Sequence, residues 1–171
     1  MSSKIRFEVL TPQHDRKRFS CGNAPLDDWF QNRAGQDQRR NVAQVFVALR
    51  GDELVGFYSL SMFSVSLDTL PPALAKRLPR YEAIPTAMIG RLARSETERG
   101  TGVGGLLLAD AIKRVVQATA IAGTWAIVVE AKDEEGKRFY EAHGFIPFAS
   151  RPRRLFLPTD TARTAIAQAE R

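Results

Sequence analysis

The 171-residue sequence is poor in metal-binding and redox side chains, with one cysteine, Cys21, and two histidines, His14 and His143. One cysteine excludes an intrachain disulfide. A structural zinc site needs about four Cys or His ligands, so no metal is expected. Long hydrophobic runs are also missing. The most apolar stretches, 54–65 and 118–129, are interrupted by Ser, Gly or Thr, and neither reaches the roughly 18–20 residues of a bilayer span. The first residues, Met-Ser-Ser-Lys-Ile-Arg-Phe-Glu, lack the apolar segment of a secretory signal, so a cytoplasmic location with no membrane contact is expected. No Gly/Ser linker, low-complexity tract or repeat divides the chain. One domain over 1–171 is expected, with 160–171 a weakly helical or disordered tail.

Acidic residues are in deficit. There are 19 Asp and Glu against 25 Lys and Arg, a net charge of +6, and the isoelectric point is near 9.9. Such a surface suits a polyanionic partner, nucleic acid above all. A solvated basic surface with no partner accounts for the charge equally well.

Residue patterning gives the element order. Residues 5–10 alternate as a half-buried strand. Asn23 and Pro25 open a helix carrying Leu26, Trp29 and Phe30, and polar 31–41 continues or ends it. The apolar runs 44–49 and 54–62 flank Arg50-Gly51-Asp52-Glu53, a hairpin signal. Asp68 and Thr69 are expected to cap a short helix from 71 to about 78. A strand follows at 86–93, then a polar glycine-rich loop, 94–105. A helix from 104 to about 120 presents Leu107, Leu108, Ala111, Ile112, Val115 and Val116 on one face. Residues 125–129 form a nearly continuous apolar strand. Asp133 caps a helix over 134–142, and Gly144 stands at its C′ position. Residues 145–148 and 154–157 suggest a closing hairpin. Strands alternating with helices, plus hairpins, give an α/β (α+β mixed-sheet) domain. The 86–129 unit is a right-handed parallel crossover.

The strongest local feature is Arg99-Gly100-Thr101-Gly102-Val103-Gly104-Gly105, with four glycines among positions 100–105. Glycines leave backbone N–H groups uncovered, and the helix start adds about half a positive charge. Together these make a cradle for phosphate or pyrophosphate. Gly100-x-Gly102-x-x-Gly105 matches the dinucleotide fingerprint in form only, because six residues separate it from its strand and no second mononucleotide-binding half follows. Neither GxxxxGK[ST] nor GxSxG occurs.

Arg99-x-x-Gly102-x-Gly104 resembles the acyl-CoA pyrophosphate loop of the GNAT N-acetyltransferases. Phe139-Tyr140-Glu141-x-x-Gly144-Phe145 resembles that family's later motif. Phe19-x-Cys21-Gly22-x-x-x-Leu26-Asp27-x-Trp29, Ile89-Gly90-Arg91-Leu92-Ala93 and Arg154-Leu155-Phe156-Leu157-Pro158 extend the resemblance to the GNAT toxins of toxin–antitoxin pairs. The resemblance implies a single-domain GNAT acyl-CoA N-acyltransferase fold with acetyl-CoA as co-substrate. It implies transfer of acetyl to the α-amino group of aminoacyl-tRNA, a block of translation, a ribbon-helix-helix antitoxin and a homodimer. It assigns acetyl-CoA binding to Leu92, Ala93, Arg94, Arg99, Gly100, Thr101, Gly102, Val103, Gly104, Gly105, Asp133 and Phe139. Tyr140 becomes the acid that protonates the departing thiolate. Where family members carry Asn-x-x-Ala before the late motif, this chain has Asp133 and Gly136.

No carboxylate lies on the 86–93 strand or in its loop before Glu96. This suits an amine that needs little help. An α-amino group has a pKa of about 7.7–8.0 against about 10.4 for lysine, and an ester lowers it further. Three arginine-rich clusters offer contacts for RNA phosphates: Arg33, Arg39 and Arg40; Lys76, Arg77 and Arg80; and Arg151, Arg153 and Arg154. Arg91 joins them from the central strand. No Trp or Phe interleaves these clusters in sequence, so phosphate contact rather than base stacking is expected. Trp29 and Phe30 are read as core, Cys21 as a small packed residue, and His143 as a helix-end residue. Two other readings stand beside aminoacyl-tRNA: acetylation of a protein N-terminus or small-molecule amine, and a catalytically silent basic RNA-binding module.

Overall fold

A computed structural model describes residues 4–171. Among the described residues, seven strands hydrogen-bond in the order β1-β2-β3-β4-β5-β7-β6. The residues pack as two compact units, 4–61 with Gly90–Ala111, and Met62–Ile89 with Ile112–Arg171.

In the first unit, β1 (Ile5–Val9) pairs antiparallel with β2 (Gln44–Arg50), and β2 with β3 (Glu53–Val65). The β2–β3 turn is Gly51-Asp52, with Gly51 at φ +63°. Only two residues separate Arg50 from Glu53 in the register, and such tight hairpins need left-handed backbone. Helix α1 (Ala24–Asn32) starts where the sequence marks it. The Asn23 side chain accepts from the Leu26 N–H at 3.1 Å, and Pro25 occupies the first turn. At Arg33 the backbone leaves helical geometry, and a second helix, α2 (Ala34–Arg39), begins. Polar 31–41 therefore ends one helix and builds another.

Apolar residues of these elements meet in a core of Phe19, Trp29, Phe30, Val45, Val47 and Phe57. Phe30 and Phe57 stack in parallel with centroids 4.1 Å apart. Phe19 meets both edge-on, the T-shaped geometry that aromatic quadrupoles favour. Trp29 and Phe30 are core, as their spacing predicts.

β4 (Ile84–Arg94) belongs to the second unit up to Ile89, and over that part it runs parallel to β5 (Ala126–Glu130), with Thr86 opposite Ala126 and Ile89 opposite Val129. This is the crossover that the alternation implies. β5 pairs antiparallel with β7 (Arg151–Pro158), and β7 with β6 (Ile146–Phe148). The crossover helix α4 spans Val103–Ala118, with Val103–Ala111 counted in the first unit and the rest in the second. Helix α5 spans Glu134–Ala142.

Two details differ from the sequence expectation. The helix expected over 71–78 is only α3, Pro72–Ala75, preceded by a 3₁₀ turn at Leu67–Thr69. Asp68 and Thr69 do not cap it, and the Thr69 hydroxyl donates instead to the Ser66 carbonyl at 2.6 Å. The cause is the Pro71-Pro72 pair. Each proline forces its predecessor to extended backbone, so Leu70 (ψ 153°) and Pro71 (ψ 136°) separate the would-be caps from the helix. The tail forms a full helix, α6 (Thr159–Ala169), with Ala162 buried. The Thr159 hydroxyl donates to the Thr124 carbonyl at 2.7 Å, and Arg163 donates to Thr119. No helix of the described residues is long and apolar enough to cross a membrane.

Candidate active site

The glycine loop lies in the first unit, after β4. Gly100 (φ +79°) and Gly102 (φ +88°) both adopt left-handed backbone, and a Cβ at either would stand in open space. The loop therefore presents bare backbone to solvent on the side where an anion would sit. The Gly102 carbonyl accepts from the Leu106 N–H at 3.2 Å, which makes Gly102 the residue that opens α4. The N–H groups of Val103, Gly104 and Gly105 fall in the first turn, where no preceding carbonyl can take them. Fully buried Val103, Leu107 and Leu108 anchor that turn. These features fit a pyrophosphate. Arg99 is exposed beside the loop, while Leu92 and Arg94 are half-buried on β4 and Ala93 is buried.

Two carboxylates missed in the sequence hold this loop. Glu98 is buried and pairs with Arg50 of β2, Nε to Oε1 at 2.8 Å and Nη2 to Oε2 at 3.2 Å. The pairing lowers the Glu98 pKa and raises that of Arg50, with the mutual hydrogen bond as the main cause. The Glu98 carbonyl accepts from the Thr101 hydroxyl at 2.7 Å. Glu96 is tied to the segment before α1, its N–H donating to the Ser20 carbonyl at 2.9 Å and its carboxylate accepting from the Ser20 hydroxyl at 3.2 Å. Asp27 takes the Cys21 N–H at 2.9 Å. Gly22 sits at φ +86°, and a Cβ there would stand 2.8 Å from Glu96 Oε1. The Phe19-x-Cys21-Gly22 motif thus braces the glycine loop. The ties join residues 48 and 76 positions apart, beyond the reach of any local pattern.

Tyr140 lies in the second unit, in the last turn of α5. Asp133 caps the start of α5 by accepting the Gly136 N–H at 2.7 Å. A Cβ at Gly136 would lie 3.3 Å from that Asp133 oxygen, so Asp133 and Gly136 are matched to each other. At the other end the Phe145 N–H donates to the Tyr140 carbonyl at 3.1 Å, and the Gly144 N–H to the Glu141 carbonyl at 3.0 Å. With Gly144 at φ +92° this is a Schellman cap. Its usual apolar contact is the Tyr140–Phe145 ring pair, 5.6 Å apart. The Gly144-Phe145 half of the late motif therefore fixes the tyrosine ring. Tyr140 is 8% exposed, and its hydroxyl has no protein partner among the described residues. Burial pushes its pKa up to about 12. Phe139 is half-buried, and its carbonyl accepts from His143 Nδ1 at 2.8 Å, which places His143 as a helix-end residue.

The cationic residues divide by environment. Arg33, Arg39 and Arg40 in the first unit are exposed on α2 and its flanks, as are Lys76, Arg77 and Arg80 after α3 in the second. Arg91 is half-buried, with its guanidinium 4.1 Å from the centroid of the Trp29 ring. Trp29 Nε1 donates to Asp37 at 2.9 Å. Burial lowers the Arg91 pKa. Arg151 and Arg154 share Glu130, at 2.7 and 2.9 Å, and Arg153 lies 3.4 Å from Glu134. Arg154 also sits over the Phe63 ring at 5.0 Å. Aromatic rings thus stand under two of these arginines, which the linear sequence conceals.

Comparison with known proteins agrees with this geometry. The chain is 31% identical to a probable toxin TacT of Sinorhizobium fredii, covering 95% of this chain and 96% of that protein. It is 35% identical to a tRNA-acetylating toxin of Mycobacterium tuberculosis, covering 92% and 93%. Among solved structures it superposes on a tyrosine-to-phenylalanine mutant of KacT with a TM-score of 0.89 at 26% identity, covering 95% of this chain and 99% of the other. AtaT complexed with acetyl-methionyl-tRNAfMet matches with a TM-score of 0.88 at 28% identity and the same coverage. AtaTR has been solved bound with acetyl-CoA. The acetyltransferase (GNAT) family pattern matches residues 7–145, and the chain belongs to the GNAT acetyltransferase family.

Proposed function

We propose that this chain transfers acetyl from acetyl-CoA to the α-amino group of aminoacyl-tRNA, stopping translation, and that a cognate antitoxin neutralises it. The observation that carries the reading is the open, left-handed glycine loop at the start of α4, in a chain 35% identical to a tRNA-acetylating toxin. Backbone N–H groups of Val103, Gly104 and Gly105, with Arg99 beside them, hold the pyrophosphate. An N–H of Leu92 or Ala93 on β4 donates to the thioester carbonyl as charge develops there. Acetyl-CoA supplies the activated acyl group.

A neutral amine attacks the acyl carbon, the C–S bond breaks, and the sulfur takes a proton from the Tyr140 hydroxyl. The raised Tyr140 pKa keeps that proton in place at neutral pH. It also makes the phenol a weaker acid than usual, so transfer to sulfur accompanies bond cleavage rather than preceding it. No carboxylate lies on β4, and Glu96 is engaged with Ser20. Water takes the amine proton, which suits an aminoacyl ester better than a lysine side chain.

An antitoxin is supported by AtaT, solved bound to the C-terminus of the antitoxin AtaR. A ribbon-helix-helix partner, a homodimer and action in the cytoplasm belong to the same reading. Incubation with labelled acetyl-CoA tests it. Label should appear on the aminoacyl end of charged tRNA and not on uncharged tRNA.

A further inference from the structure

The second unit holds a pocket of ≈170 Å³ lined by Ser64, Val65, Ser66, Thr69, Phe148, Ser150, Arg151 and Arg154. Two segments build it. One runs from the end of β3 into the 3₁₀ turn before α3, and the other is the β6–β7 turn with the start of β7. Val65 and Phe148, both buried, supply the apolar residues. Hydroxyls and guanidinium groups supply every polar side chain, and no lining residue is a carboxylate.

Arg154 is held in place. It donates through Nε and Nη2 to Glu130, stacks on Phe63, and has a side chain only 23% exposed. Arg151 reaches the same carboxylate through one Nη2 contact and is 59% exposed. Two guanidinium groups on one carboxylate leave a net positive charge, and each retains N–H groups for a further acceptor.

We infer that this pocket takes a phosphodiester of the RNA substrate. The inference rests on the aminoacyl-tRNA reading and gives that substrate a docking point. The donors come from both segments, so they converge from more than one direction. A tetrahedral phosphate offers acceptor oxygens that diverge, whereas a carboxylate offers two in one plane. The pre-set Arg154 reduces the ordering cost of binding.

The test places a carboxylate in the pocket on exposed positions, as Ser66→Asp and separately Ser150→Asp, with Ser66→Asn as the neutral control. Binding of uncharged tRNA is measured across a KCl series, with acetyl-CoA affinity and acetylation of charged tRNA measured alongside. Each Asp variant should lower the salt slope by roughly 0.7–0.9, the contribution of one phosphate contact. Acetyl-CoA affinity should stay at the wild-type value, and Ser66→Asn should keep the wild-type slope. A wild-type slope in both Asp variants overturns the inference. So does an unchanged tRNA slope with weakened binding of an acidic antitoxin peptide, which would assign the pocket to a protein carboxylate. If wild-type protein fails to acetylate charged tRNA, the substrate reading fails. Wild-type turnover with an unchanged variant slope removes only the pocket.

Discussion

The guanidinium of Arg50 grips both carboxylate oxygens of Glu98, at 2.8 and 3.2 Å, two residues before the first glycine of the loop that opens α4. The same Glu98 takes the Thr101 hydroxyl on its carbonyl. One residue thus fastens the loop to β2 through its side chain and sets the loop's turn through its backbone. Removing the carboxylate should loosen the cradle without removing any of its N–H donors. Glu98→Gln should raise the Kd for acetyl-CoA about tenfold, a loss of ~1.4 kcal/mol in binding, measurable by calorimetry. The carboxyl pKa is held below its unfolded value, so the stability it confers is present above that unfolded value. It is lost as pH falls through the folded one. Acid unfolding should therefore be less steep in Glu98→Gln than in wild type.

Gly102 tests the cradle itself. Its φ of +88° strains any side chain there by roughly 1–2 kcal/mol, although a Cβ would meet no neighbouring atom. That side chain would also occupy the anion's approach. Gly102→Glu adds a like charge and should abolish acetyl-CoA binding while the protein stays folded by circular dichroism. Retained affinity in the folded variant would remove the loop from the site.

Tyr140→Phe keeps the ring in its contacts with Phe139 and Phe145 and removes only the hydroxyl. Turnover should fall by about 10²–10⁴-fold with little change in the KM for acetyl-CoA. The wild-type pH profile should rise through the amine pKa. It should show no Tyr140 deprotonation limb until about pH 12, since burial holds the proton to that value. A loss under about threefold would leave Tyr140 a packing residue.

Gly22→Ala tests the link between the amino-terminal motif and the loop. The added methyl would meet Glu96 Oε1 at 2.8 Å from a left-handed backbone. Glu96 must turn away, leaving Asp27 as the acceptor of the Ser20 hydroxyl. Acetyl-CoA affinity should fall severalfold, and Gly22→Ala combined with Glu96→Ala should recover part of it. Wild-type affinity in Gly22→Ala would show that this brace does not reach the loop.

Features that depend on local chemistry were legible in the sequence. Asn23 and Asp133 cap the helices they precede, Gly144 closes α5, and the 86–129 crossover is parallel. Chemistry set by distant partners was not legible. Nothing near Glu98 in sequence points to Arg50, and nothing near Arg154 points to Phe63 beneath it. Residues 137–154 hold one acid, Glu141, yet β5 and α5 bring Glu130 and Glu134 to the arginines there. The short α3 was missed for a different reason: the Pro71-Pro72 effect on preceding residues outweighed the capping preference of Asp68 and Thr69.

The most direct test of the central claim is competition between amines for one enzyme. Purified protein is given acetyl-CoA with charged tRNA, an N-terminal peptide and a polyamine together, and kcat/KM is measured for each by mass spectrometry of the products. The account predicts N-acetyl-aminoacyl-tRNA as the dominant product, with a rate that falls steeply as salt rises. Preferential acetylation of the peptide or the polyamine, at a rate insensitive to salt, would contradict it.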